Sequence, residues 1–106
     1  IMNNFLMTYE MMVGLYISSE ENYAKYRAEM RPLLESFGGG FRYDFKVSET
    51  LKSESPDPIN RVFNIYFRDK KAMDDFFAHP EYQKIRKNYF DKSVSHRTII
   101  ASFERA

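Results

Sequence analysis

The sequence predicts an α+β domain of order βαββαβ, a four-stranded antiparallel sheet with its helices on one face. Three observations point there. Four stretches are rich in β-favouring residues, and one of them, Phe41 to Ser48, alternates apolar with polar at period two over eight residues. Two capped amphipathic stretches separate the first strand from the second and the third from the fourth. At 106 residues the chain has room for one core, and a polar stretch with two prolines joins the middle strands.

From Met7 to Ile17, residues Tyr9, Met11, Val13, Leu15 and Ile17 share one parity and form an apolar strand face. Ser18 or Ser19 then caps a helix whose first turn carries Glu20 and Glu21 and whose Tyr23, Tyr26, Met30, Leu33, Leu34 and Phe37 recur every three or four residues. Pro32 lies inside it and predicts a kink or a division into two pieces. Gly38-Gly39-Gly40 ends it, with Gly38 suited to the left-handed position. Phe41, Tyr43, Phe45 and Val47 alternate with Arg42, Asp44, Lys46 and Ser48 as a second strand. Thr50 to Asn60 reads as a mobile loop, and Arg61–Phe67 as the third strand. Asp69 caps a helix facing inward through Ala72, Met73, Phe76 and Phe77. His79 breaks it, because the residue before a proline avoids the α region, and Pro80 opens a short helix bearing Tyr82, Ile85 and Tyr89. Val94–Phe103 is the fourth strand. This is the split-βαβ, or ferredoxin-like, order in a single domain over residues 7–106. Residues 1–6 are set apart as a disordered or expression-derived N-terminal extension, with Met2, Met7, Met11 and Met12 all open as translation starts.

Composition removes several function classes. Sixteen Lys and Arg balance fifteen Asp and Glu, so no cationic field favours nucleic acid. Without Cys there is no disulfide, thiolate nucleophile or Cys-ligated metal centre, and two His make neither a three-His site nor an HExxH helix; neither metal nor cofactor is expected. The N-terminus has no basic segment before its apolar run, and no stretch is long enough for a membrane span. These absences point to a cytoplasmic protein without a membrane partner.

A sheet covered on one face exposes the other, where polar residues should dominate. If Val13, Phe45, Ile65 and Ile99 face the helices, the opposite parity holds Met12, Tyr16, Val62, Tyr66 and Ile100 among Asn64, His96 and Thr98. That is too apolar for a solvated surface. The economical cover is a second copy packed face to face, so Met12, Tyr16, Val62, Tyr66, His96 and Ile100 are the expected homodimer interface. The alternative is a bulge that shifts one strand's parity and shrinks the patch.

The strand MVGLYI, Tyr26 twelve residues before the glycines, LLESFGG, RVFNIYF, KAMDDFF and His79-Pro80-Glu81-Tyr82 together resemble the dimeric α/β-barrel superfamily, most closely its small bacterial DUF1330-type proteins. The resemblance implies two ferredoxin-like sheets closed into a barrel, a pocket between sheet and helices in each protomer, and no assigned biochemical role. Three departures stand out: Tyr66 replaces an acid, Tyr89 replaces an Arg, and the 50–60 loop replaces a short Glu-Gly stretch. Haem-degrading superfamily members carry a second-helix His, as His79 is, but also use a tryptophan that this chain lacks.

Tyr26, Tyr43, His79, Tyr82 and Arg97 are the candidate substrate-binding residues, tyrosine hydroxyls and an Arg being suited to a small acidic or aromatic molecule. Each has a plainer reading, the tyrosines as core packing, His79 as a helix break and Arg97 as an ion-pair partner. Asp74-Asp75 and Lys84, Arg86 and Lys87 read as surface, and no Ser-His-Asp set can be assigned. Whether the protein is an enzyme stays open. The alternatives are a cofactor-independent monooxygenase-like enzyme and an assembly module without a ligand. Whether the 50–60 loop closes over the pocket as a lid also stays open.

Overall fold

The structure, a computed structural model, describes residues 7–106; the expectation for residues 1–6 lies outside them. The chain runs β1 (Thr8–Ile17), α1 (Glu20–Ser36), β2 (Gly40–Lys46), β3 (Arg61–Phe67), α2 (Lys70–Ala78), α3 (Pro80–Ile85), a π-helical turn (Arg86–Phe90) and β4 (Val94–Arg105). The strands form one antiparallel sheet of order β2-β3-β1-β4, so the ferredoxin-like α+β fold holds. No helix among the described residues is long and apolar enough to cross a membrane.

The helix ends form where the local chemistry places them. Ser19 Oγ accepts from the Asn22 amide and Asp69 Oδ1 from the Ala72 amide, each satisfying a first-turn N–H. Gly38 takes φ +76° after α1, a conformation that costs a glycine little. α1 is one continuous helix through Pro32, which does not divide it. His79, with ψ 133°, leaves α2, caps α3 by accepting from the Glu81 amide at Nδ1, and puts Pro80 in the first turn.

Tyr23, Tyr26, Met30 and Leu34 of α1, Phe76 of α2, and Tyr82 and Ile85 of α3 pack on Val13, Leu15, Phe63, Ile65 and Phe67 of the sheet. Bulges decide which side chains join them. Phe41 pairs with Ile65 but Tyr43 with Asn64, so Arg42 is an extra residue in β2 and everything after it changes face. Phe45, expected toward the helices, therefore stands opposite Val62 on the open face with 54% of its surface exposed, and Tyr43 stands beside it at 56%. Similarly, Ile100 is the extra residue of β4 between the partners of Met12 and Val13. The bulges enlarge the open apolar face instead of reducing it.

Candidate functional site

A small cleft of about 40 Å³ lies between helices and sheet. Its floor is Met11, Val13 and Leu15 of β1 with Phe63 and Ile65 of β3, the inward parity of both strands. Its roof is Tyr23, Tyr26, Arg27 and Met30 of α1, with Tyr82 and Phe90 closing one side and Arg97 of β4 at another. Tyr26 and Tyr82 share a hydrogen bond of 2.9 Å between their hydroxyls, and Tyr26 packs on Phe90 at 5.0 Å between centroids. Burial pushes both phenols upward, Tyr26 far above its ordinary value with the neighbouring Tyr82 adding to the rise. Both stay protonated at neutral pH.

Arg27 sits one turn after Tyr23. Its Nε donates to the Tyr23 hydroxyl at 2.9 Å, its Nη1 to Asp44 at 3.1 Å, and its guanidinium lies 3.9 Å from the Phe41 ring centroid. The Nη2 nitrogen is buried and has no hydrogen-bond partner among the described residues. Burial raises the Asp44 carboxyl, but the hydrogen bond from Arg61 and the charges of Arg27 and Arg61 outweigh it and hold the group below its ordinary value. Arg97, cross-strand from Leu15, is exposed and makes no ion pair among the described residues.

Of the five residues singled out in the sequence, Tyr26, Tyr82 and Arg97 meet at this cleft. Tyr43 does not, because the bulge at Arg42 carries it to the other side of the sheet. Nor does His79, whose ring is occupied capping α3 and packs on Phe37 at 5.8 Å. Sequence reasoning passed over Arg27, although its spacing from Tyr23 and Met30 places it beside the helix's buried stripe.

It also passed over a cluster on the open face. Glu10 is fully buried in the central strand: it accepts from Thr8 at 2.6 Å, Arg42 Nε at 2.8 Å and Asn64 Nδ2 at 3.1 Å, with Arg105 at 3.6 Å. Arg42 in turn lies 4.2 Å from the Tyr66 ring centroid. Burial raises the Glu10 carboxyl, yet these hydrogen bonds outweigh it and hold the group below its usual range. An acid on the strand's outward parity was the available signal, since a charge in a central strand needs partners. Met12, Tyr16, Val62, Tyr66 and His96 share that outward parity by register, and Ile100 lies near Val62 on the same side.

Comparison with curated proteins finds no match. Among solved structures, the chain is similar to a protein of unknown function, RPA0582 of Rhodopseudomonas palustris, at 16% identity, TM-score 0.73, covering 96% of this chain and 83% of that one. A dabb family protein of Mesorhizobium loti with a ferredoxin-like fold aligns at 11% identity and TM-score 0.59, covering 94% and 96%. A Bacteroides thetaiotaomicron protein provisionally named an antibiotic biosynthesis monooxygenase aligns at 17% identity and TM-score 0.61, covering 92% and 88%. These likenesses concern the fold alone. The sequence itself matches the DUF1330 family, a domain of unknown function, over residues 9–103, and the chain belongs to that family.

Proposed function

We propose that this protein works as a homodimer joined through its open sheet faces, each subunit binding the acidic end of a small, partly aromatic molecule in the cleft between sheet and helices. The observation that carries the binding role is Arg27, which lines the cleft and whose buried Nη2 has no hydrogen-bond partner among the described residues. An unsatisfied buried donor costs about 1–3 kcal/mol, which an acceptor brought by a ligand recovers. The cleft's 40 Å³ accommodates a carboxylate oxygen or a water and little more, so the body of the ligand extends past Ile99 toward Arg97, which has no ion pair among the described residues. Binding is favoured over deprotonation and oxygen chemistry of the monooxygenase-like kind. The cleft is lined by no carboxylate or imidazole among the described residues, and its phenols are held protonated.

The dimer rests on the open face. Tyr16, Tyr43, Phe45, Ile100 and Phe103 are each at least 37% exposed there. Counting a fully exposed large side chain as about 200 Å², they present roughly 500 Å², more than half of the ~800 Å² per partner of a standard interface.

A thermal-shift titration with benzoate against its neutral isostere benzamide tests the binding role. Benzoate near a hundredfold of its Kd should stabilise by about 2.7 kcal/mol, a rise of several degrees in Tm, and Arg97→Ala should reduce the rise. Equal shifts from benzoate and benzamide, or none from either, would favour an assembly module without a ligand and overturn the binding role.

A further inference from the structure

We propose that residues 47–60 form an arm that grips a second copy of this chain; the inference rests on the face-to-face dimer and identifies the element that completes it. The arm is built onto the open face, the side of the sheet away from the cleft, and so is not the cleft's lid. Asn60 pins its base: its amide donates to the Leu15 carbonyl at 2.8 Å, its side chain exchanges hydrogen bonds of 2.7 and 2.9 Å with the Ile17 backbone, and its carbonyl accepts from Val47 at 2.9 Å. Ile59 then lies on Gly14, where a Cβ would come within 2.8 Å of its Cδ1. Farther out, Asp57 approaches His96 at 3.5 Å, and the Ser53 and Ser55 hydroxyls accept from the amides two residues on, shaping the tip.

The result is a groove of about 750 Å³ between arm and β4, walled by Val47, Leu51 and Ile59 and floored by Val62, Thr98 and Ile100. Leu51 is 90% exposed, held off the sheet by a segment whose base is firmly anchored. A polar loop gains nothing from an apolar side chain held in water. Two arguments make the occupant a second copy. The groove floor is continuous with the open face, since Val62 and Ile100 belong to both. The exposed face side chains alone also fall short of the ~800 Å² a stable partner interface takes, and the arm supplies apolar surface at its border. A second sheet meeting this face seats between arm and β4, and two-fold symmetry repeats the contact.

Sedimentation of the full chain with Leu51→Ser, and with residues 49–57 replaced by a short Gly-Ser turn, tests this. A wild-type dimer whose dissociation constant rises about tenfold to a hundredfold in both variants, with Tm of the separated subunits unchanged, is the expected result. A wild-type dimer as tight in both variants would overturn the arm's role and leave the face-to-face dimer standing. A wild-type chain that is monomeric at micromolar concentration would overturn both.

Discussion

Gly39 is closed to any side chain by a fixed neighbour. A Cβ there would sit 2.6 Å from the Tyr66 carbonyl oxygen and 2.6 Å from Leu34 Cδ1, and the carbonyl belongs to a paired strand. Gly39→Ala should therefore cost about 1–3 kcal/mol by forcing backbone shifts. Gly14→Ala meets the movable end of Ile59 and should cost less; equal losses of Tm in the pair would contradict the distinction. Glu10 makes the pH prediction. Its carboxyl is held below its ordinary 4.5, burial being outweighed by hydrogen bonds from Thr8, Arg42 and Asn64. The unfolded chain thus takes up the proton first, so the contribution is fully present above about pH 4.5 and is lost as pH falls through the lower folded-state value. Urea midpoints should fall on acidification, and Glu10→Gln should flatten part of that fall while lowering the midpoint at pH 7. An unchanged acid profile in Glu10→Gln would show that the cluster is not coupled to folding. None of this is legible from Glu10's place along the chain, because apart from Thr8 its partners come from β2, β3 and β4.

At the level of elements, boundaries set by local chemistry were legible and side-chain facing after a bulge was not. Asp69 and Pro80 mark their helix starts by hydrogen bonds and sterics that act within a few residues. Asp69→Ala should cost about 1 kcal/mol of stability, and Asp69→Asn, which keeps an acceptor, should recover most of it in thermal denaturation. Equal Tm losses in the two variants would mean the capping bond does not matter. By contrast, Arg42 sits in an unbroken alternating pattern that gives no sign of an extra residue. Its side chain reaches across β3 to Glu10 on β1, and that long-range bond goes with the local break in pairing that turns Tyr43 and Phe45 outward. The short helix that opens at Pro80 likewise runs on into the π-helical turn that places Phe90 against Tyr26, a contact between segments far apart along the chain.

As a whole, the molecule is a slab, 46 × 33 × 17 Å along its principal axes, with a radius of gyration of 14.5 Å. A rounder chain of this length would come near 13 Å. One helix layer on one sheet covers a single sheet face, and the slab's other broad face carries Phe45 and Tyr43 in water. Phe45→Lys should weaken the dimer at least tenfold in sedimentation while leaving the subunit's Tm nearly unchanged, since that ring, stacked on Tyr43, is 54% exposed in the single subunit. Dimers of unaltered affinity would place the interface elsewhere. Sequence alone determined the order of elements, the caps, the glycine stop and an apolar excess on the outward face, because each follows from neighbours within one or two turns or from simple periodicity. Tertiary structure alone decided that Tyr43 and His79 stand apart from Tyr26, Tyr82 and Arg97, that Arg27, whose Nη2 has no partner among the described residues, lines the cleft, and that the 47–60 arm lies on the opposite side of the sheet. Those outcomes depend on bulges and on contacts between residues distant along the chain, which alternation in a single strand does not encode.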